Sequence, residues 1–561
     1  MACFVVCCGL VVDCGGFLLI VLMLRKRENW TSQLGVVLAV TGSAVGLGNF
    51  LRFPGQAALY GGGSYMIAYL IAFAIIGVPL AWVEWGIGRY GGLQGYNSPP
   101  GILRKFLKSD VGAYFGVFGV LLPTIIFMYY VVIEAWCLQY AFEFIFQQAH
   151  VGGVDSYKIH FENVSGQNQP NGYLLRNGIF NTTLLCLVAC LCLNFYLLYQ
   201  GITKGIEKFC NWALPLLFIC SIVITIRVLT LPTQIDGQGI IEGLGFIWNP
   251  AQPTVYSPDG QVIVEGKTFI QGLSNSQTWL AAAGHVFFAM SIGMGAVMTY
   301  TSYTRRSDNI ILSCGASCAA NGFCESVIAA LMVVPAAYVF LGPAFLSPET
   351  LKSSFAIGFY TLPHVFDQMP FGRFFGFLFF GLMFLAAVTS SISLIQPFIV
   401  LLEEGLQLSK KCGVAVVAAV CGAGSLFVFY FANDMKALDT FDFMIANLLV
   451  LVLALFQAIA FGWWFGIDKG IAELERGSRM KIPFVIKFTI KYITPAYLLI
   501  IYVAWCFQSL PEYATKICTD SVRMLSVLVI VVVFVFVYII TAISIRQWRK
   551  EEAEQEISSI K

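Results

Sequence analysis

Long apolar runs alternate with short polar ones along most of the chain. The runs fall at about 33–58, 63–88, 111–146, 180–199, 204–230, 278–304, 310–341, 372–402, 411–432, 440–465, 484–509 and 521–545. A helix needs about 20 apolar residues to cross a hydrocarbon core of about 30 Å, and these runs reach that length. In lipid the backbone must satisfy its own hydrogen bonds, so runs of this length read as helices rather than barrel strands. The pattern predicts an all-α polytopic membrane protein with twelve transmembrane helices. Polar stretches at 147–179 and 231–277 read as long loops. Within the second, TVYSPDGQVIVEG reads as a small hairpin turning at Asp259–Gly260. Residues 346–367 read as a loop with a short helix.

Composition agrees. The 561 residues are 58% hydrophobic and 11% charged, against about 25% charged in soluble domains. So little charge cannot cover a soluble surface. The net charge of +2 gives no reason to expect nucleic acid as a partner; the expected surroundings are a lipid bilayer. The 17 cysteines are scattered, mostly inside apolar runs such as LLCLVACLCL, without the paired C-x-x-C spacing of a metal site. They read as small packing residues.

Charge orients the loops. Lys and Arg cluster in alternate loops, at Arg25–Arg27, Arg89–Lys108, Lys204–Lys208, Arg305–Arg306, Lys410–Lys411, Lys469–Lys481 and Arg546–Lys550. The intervening loops hold only scattered ones, such as Lys158, Arg176, Lys267, Lys352, Lys436 and Lys516. By the positive-inside rule both ends of the twelve-span core are cytoplasmic. The apolar segment 1–24 precedes Arg25-Lys-Arg27, the reverse of a signal peptide's order, and Asp13 makes it a poor span. It reads as an extension outside the core. The sequons at Asn163 and Asn181 matter only in a eukaryotic secretory pathway.

Two spans are interrupted. The first carries Ser43-Ala-Val-Gly46-Leu-Gly48 and the sixth Ser291-Ile-Gly293-Met-Gly295. Five spans separate their starts, so the copies have opposite orientation in the membrane. Each motif alone fits a packing interface; a Gly-interrupted pair in corresponding places of two inverted halves points to a transporter site. The halves are 25–230 and 278–465, separated by the loop 231–277 and followed by two spans and a tail at 466–561. An unwound helix exposes C=O groups that sodium can satisfy and N–H groups that a carboxylate can satisfy. Asn49 adds a carbonyl suited to a hard cation. The chemistry is binding of a zwitterion together with Na⁺. Arg52 is a charge at membrane depth and needs a carboxylate; Glu84, Glu134, Glu325, Asp439 and Asp442 are candidates. Thr389-Ser390-Ser391 adds adjacent hydroxyls.

The stretches ENWTSQLGVVLAVTGSAVGLGNFLRFP, GGGSYMIAYLIAF, WVEWGIGRYGG, YYVVIEAW, FFAMSIGMGAVMTYTSY and AAVTSSISLIQP together resemble the neurotransmitter:sodium symporters. The bacterial amino-acid transporters of the LeuT type are the nearest in pattern, and the resemblance runs from about residue 27 to 546. It implies the LeuT-type fold, with a 5+5 inverted repeat and broken helices 1 and 6, in a bacterial inner membrane. It implies one sodium site from Ala44, Asn49, Ala289, Asn321 and the substrate carboxylate. A second would use Gly42, Val45, Ala386, Thr389 and Ser390, with Ser390 also facing the substrate. The carboxylate would sit against Gly48 and the Tyr130 hydroxyl, and the ammonium against carbonyls of Ala44, Phe288 and Ser291. Ile126, Phe288, Met294 and Leu394 would line the side-chain pocket. An outer gate would pair Arg52 with Asp442, helped by Gln56 and closed by Tyr130 and Phe288. An inner gate would pair Arg27 with Glu404, backed by Trp30 and Tyr303.

Further expectations follow from single positions within the resemblance. Gly46 stands where amine-specific relatives carry an aspartate, which favours a substrate with its own carboxylate. Met294 and Leu394 favour a neutral hydrophobic amino acid. Glu325 stands where chloride-dependent relatives have a small neutral residue, so its fixed charge replaces Cl⁻. Two departures weaken the pattern. Ala289 lacks the family's hydroxyl at the first sodium site, and His285 replaces the usual Gln beside Glu325, where it can titrate or simply pack as a neutral ring. The leading expectation is a sodium-coupled amino-acid importer working by alternating access, not an enzyme. A proton-coupled or Na⁺-independent carrier is the alternative. A channel or receptor fits the inverted repeat and paired gates less well. A single chain suffices for transport in this scheme, and the sequence leaves the oligomeric state open.

Overall fold

The computed structural model describes residues 29–146, 153–169, 175–176, 179–233, 239–251, 254–256, 262–342 and 354–560. The segment 1–24 and Arg27 lie outside them, as does the hairpin turn at Asp259–Gly260. The described residues are overwhelmingly helical. Two minimal antiparallel strand pairs stand apart, Leu175–Arg176 with Ile179–Phe180 and Val255–Tyr256 with Val262–Val264. The second is the body of the expected hairpin. Short helices at Ser354–Ala356 and Leu362–Gln368 fall in the expected loop before the eighth run.

Among the described residues nine helices are long and apolar enough to cross a membrane, or ten if the pair Gln33–Ala44 and Gly48–Leu59, bent by 47°, is one span. The sequence-based expectation was twelve, and the difference has two local causes. The runs 180–199 and 204–230 form one continuous stretch, Thr182–Leu229, interrupted at Gly201, whose φ of 84° no helix accommodates. The sixth run is divided into pieces too short to qualify singly. The last helix, Ser521–Ile560, has 40 residues. At about 1.5 Å per residue it is longer than a bilayer is thick, so its charged end, Arg546–Glu556, projects beyond the hydrocarbon.

Seven helices position the site: α1, Gln33–Ala44; α2, Phe53–Leu59; α3, Phe118–Phe146; α4, Ser276–Met290; α5, Ala296–Ser302; α6, Ile310–Phe323; and α7, Gly372–Gly405. Helix α1 starts where Ser32 Oγ accepts from the Gly35 N–H at 3.0 Å, satisfying one of the free donors of a first turn. It stops because Val45 turns extended, at φ −75° and ψ 96°; the chain resumes as a π-helical turn, Gly48–Arg52, leading into α2. Helix α4 ends because Ser291 takes φ 51°, and Gly293 and Gly295 follow at 76° and 88° before α5 begins. Both breaks therefore fall on the predicted motifs. Helices α3 and α7 pack along each other and form the wall against which the breaks lie.

Candidate functional site

The two breaks face each other. Ser291 Oγ donates to the Ser43 carbonyl at 2.7 Å, across 248 residues of sequence, and Ser43 Oγ bonds Ser393 Oγ of α7 at 2.6 Å. Backbone groups freed by the interruptions are thus taken up by side chains of other helices, as they must be away from water. A small cavity lies between them, lined by residues that include Ala44, Gly46, Gly48, Asn49, Ile126, Tyr130, Phe288, Ala289, Ser291, Met294, Ser390 and Leu394. Every substrate-binding residue expected from the sequence is in this lining.

Part of the lining is polar. Tyr130 Oη accepts from the Leu47 N–H at 3.1 Å. A methyl group on Gly46 would come within 2.8 Å of that hydroxyl and 2.9 Å of Ser390 Oγ; the glycine is required by close approach. Ile126, Met294, Leu394 and the ring of Phe288 supply the apolar part of the lining. That ring lies so near Gly48 that an added Cβ would sit 2.7 Å from it.

Oxygens converge at the expected first sodium site. Asn49 Nδ2 donates to Asn321 Oδ1 at 2.8 Å. The same arm of the Asn321 amide lies 3.2 Å from the Ala289 carbonyl and 3.3 Å from the Ala44 carbonyl. Acceptors gathered this closely need either a donor or a cation among them, which is the donor chemistry of a hard monovalent ion. Asn49 Oδ1 accepts from the Gly46 N–H at 2.8 Å, so Asn49 also closes the first break. At the expected second site, Ser390 Oγ donates to the Gly42 carbonyl at 3.2 Å, and Thr389 Oγ1 donates to the Ala386 carbonyl at 3.1 Å. Val45, the remaining residue of that set, is the extended residue at the break itself.

The outer gate differs from expectation. Arg52 and Asp442 form no ion pair within 4.0 Å; Asp442 accepts instead from Tyr129 Oη at 2.8 Å, and the Arg52 guanidinium sits 5.1 Å over the Phe288 ring. The physical reason is that Tyr129 reaches Asp442 from α3 first, while Arg52 gains a cation–π contact. Gln56 accepts from Tyr65 Oη at 3.0 Å. At the expected inner gate Trp30 is 2% exposed and donates from Nε1 to the Tyr300 carbonyl at 2.8 Å, and its N–H bonds the Tyr303 carbonyl at 3.4 Å. Glu404 accepts from the Asn97 and Ser98 N–H groups at 2.8 and 2.9 Å; its expected partner Arg27 is outside the described residues.

The other carboxylates open as partners of Arg52 have partners elsewhere. Glu84 accepts from the Gly293 N–H at 3.0 Å and so serves the break after α4. Asp439 pairs with Arg523 at 2.7 Å. Glu134 is held by Asn194 at 2.9 Å. Glu325 is bonded by the Tyr69 hydroxyl and by His285 Nε2, the latter at 3.0 Å. The role of Glu84 was missed by sequence reasoning; a lone acid in WVEWGIGRYGG carries no local sign that it caps a loop about 200 residues away. Asn181, expected only as a span-edge sequon, caps its helix by accepting from the Thr183 N–H at 3.0 Å. Among the described residues no group of three His, Cys, Asp or Glu could hold a metal.

The family model of the sodium:neurotransmitter symporters matches residues 27–152 and 261–548. An uncharacterized sodium-dependent transporter of Haemophilus influenzae is 29% identical over 506 residues, covering 86% of this chain and 99% of that one. One from Methanocaldococcus jannaschii is 29% identical over 483 residues, covering 84% and 88%. The sodium- and chloride-dependent GABA transporter 2 of Rattus norvegicus is 23% identical over 503 residues, covering 84% and 78%. Among solved structures, MhsT in complex with L-phenylalanine superposes with a TM-score of 0.69 at 24% identity, over 85% of this chain and 99% of that one. That likeness establishes the LeuT-type fold, and the sodium-dependent relatives establish Na⁺ as the co-transported ion. The family model covers well over half of the chain, including both broken helices that build the cavity: this multi-pass membrane protein belongs to the sodium:neurotransmitter symporter family.

Proposed function

We propose that this sodium-dependent transporter imports a neutral, hydrophobic amino acid, without chloride, across a bacterial plasma membrane, with both ends of its core on the cytoplasmic side. The observation that carries the reading is the cavity between the breaks, lined by both polar and apolar groups. The backbone at Gly48 and the Tyr130 hydroxyl suit a carboxylate, and the carbonyls of Ala44, Phe288 and Ser291 suit an ammonium. Ile126, Phe288, Met294 and Leu394 suit an apolar side chain, with Met adaptable in shape. The complex of MhsT with L-phenylalanine is in keeping with such a pocket. Sodium at the first site, among Ala44, Asn49, Ala289 and Asn321, would share the substrate carboxylate; the second would sit among Gly42, Val45, Ala386, Thr389 and Ser390. Binding of both ions and substrate draws the broken helices together. The bundle that carries them then rocks between an outer gate, Arg52, Gln56, Phe288 and Asp442, and an inner one, Arg27, Trp30, Tyr303 and Glu404.

Uptake of radiolabelled leucine or tryptophan into proteoliposomes, with an inward Na⁺ gradient and without one, tests this. Accumulation that requires Na⁺ and persists when Cl⁻ is replaced by gluconate is the expected result. Accumulation driven equally well by a proton gradient alone would overturn it in favour of the second reading, a proton-coupled carrier. That reading is favoured by one observation, the buried His285–Glu325 contact beside the site.

A further inference from the structure

Glu134 has no task in this scheme. It lies on α3 one turn beyond Tyr130, and it is fully buried. Its Oε1 accepts from Asn194 Nδ2 at 2.9 Å. Asn194 Oδ1 in turn accepts from Ser391 Oγ at 2.6 Å. Beyond Asn194, the carboxyl has the neutral Cys190 thiol and Ser391 hydroxyl beside it. The groups that face this carboxyl are Tyr130 and Cys137 on its own helix, Cys190 and Asn194 on Thr182–Gly201, and Ser391 on α7. None of them is a cation. An ionised carboxylate without a positive partner is very costly at membrane depth, and such residues mark ion pathways.

The second sodium site has the complementary problem. Its residues, Gly42, Val45, Ala386, Thr389 and Ser390, offer only neutral oxygens, whereas the first shares the substrate carboxylate. Ser391, at the end of the hydrogen-bonded chain from Glu134, directly follows Thr389 and Ser390 in α7. Other buried acids are committed elsewhere: Glu84 to the Gly293 N–H, Glu325 to Tyr69 and His285, Asp442 to Tyr129, and Glu207 to Thr31.

We propose that Glu134 is the counter-charge of the second sodium site, reached through Asn194 and Ser391. The proposal rests on the reading of that site given above. Without sodium the carboxyl carries a proton. When Na⁺ enters from the outer solution, the carboxyl O–H bond breaks, its electron pair stays on Glu134, and the proton leaves to solvent water, so the buried charge is unchanged. Sodium and a proton then compete across the protein even though they bind different atoms, and by linkage each weakens the other.

The test is Na⁺ binding to the full-length protein, without substrate, followed by radiolabelled Na⁺ and by thermal shift between pH 5.5 and 8.5. The starting protein and a Glu134→Gln variant are compared, each also with His285→Gln so that the His285–Glu325 pair contributes nothing. The half-saturating Na⁺ concentration should rise as pH falls, approaching tenfold per unit. In Glu134→Gln the dependence should vanish, and binding at pH 8.5 should be weaker by about fivefold or more. A Na⁺ jump in weak buffer should release a proton that Glu134→Gln does not release. If Glu134→Gln does not fold, Glu134→Asp replaces it and should move the midpoint of the pH dependence. A pH dependence unchanged by either substitution overturns the proposal. Thr389→Val separates the two levels: undiminished Na⁺ binding there would overturn the placement of the second site, whatever Glu134 does.

Discussion

His285 Nε2 lies 3.0 Å from Glu325 Oε1, and both side chains are fully buried. The Tyr69 hydroxyl takes the other carboxylate oxygen. Both carboxylate oxygens of Glu325 are thus held by neighbouring side chains. On the proposal that this carboxylate stands in for chloride, Glu325→Ser should make uptake chloride-dependent, whereas His285→Gln, which keeps Glu325, should leave it chloride-independent. Uptake in chloride and gluconate media measures both; a Glu325→Ser variant equally active without chloride would remove Glu325 from that role.

Ala289 contributes only its carbonyl to the oxygens around Asn321. Ala289→Thr adds a hydroxyl on the same residue, as in the family pattern. The half-saturating Na⁺ concentration for uptake should fall several-fold, the scale of about 1 kcal/mol. An unchanged Na⁺ activation curve would show that the site does not need that oxygen.

Gly46 and Gly48 are limited by space. An added Cβ meets the Tyr130 hydroxyl at 2.8 Å in the first case and the Phe288 ring at 2.7 Å in the second. Gly46→Ala should raise the KM for the proposed amino-acid substrate by about tenfold or more, because it fills the volume beside the hydroxyl proposed to receive the carboxylate. Equilibrium binding of a radiolabelled substrate separates this loss from a folding defect. Near-normal affinity would place the carboxylate elsewhere.

Glu84 satisfies the Gly293 N–H from the second span. In Glu84→Gln the amide can still accept through its oxygen, so the chain should fold; Glu84→Ala leaves a buried N–H unpaired at a cost of about 1–3 kcal/mol. The expected order of thermal midpoints is wild type, then Gln, then Ala. Equal midpoints for Gln and Ala would mean that the break is held by other groups.

Asp367 lies in the short helix Leu362–Gln368, outside the spans. Partial burial pushes its carboxyl up to about 6, with Arg373 opposing, and Oδ2 has no hydrogen-bond partner. An acid whose folded value is raised retains its proton in the folded chain while the unfolded chain loses it. Its contribution to stability therefore falls as pH rises from about 4 to about 6 and stays low above that. Asp367→Asn should raise the thermal midpoint at pH 7 and leave it unchanged near pH 3.5.

Much of the fold was legible in the residues themselves. Apolar run length is a local property set by bilayer thickness, and it located the spans. The glycines at 46, 48, 293 and 295 located both breaks, because only residues free of a Cβ tolerate those backbone angles and close approaches. The count of crossing helices departs from the expected twelve only where Gly201 turns the chain inside one helical run and where residues 291–295 divide another.

What the chain by itself determined is therefore which segments enter the bilayer, where two of them come undone and which kinds of atoms are exposed there. Only the tertiary structure decided which distant group answers each exposed one. Tyr129, not Arg52, bonds Asp442; Glu84 holds Gly293; Asn194 joins Glu134 to Ser391. These partners lie 197 to 313 residues apart along the chain for all but the Glu134–Asn194 contact. No periodicity encodes them. They follow from the packing of whole helices, in which a buried polar group, cut off from water, takes whichever partner the neighbouring helix brings within reach.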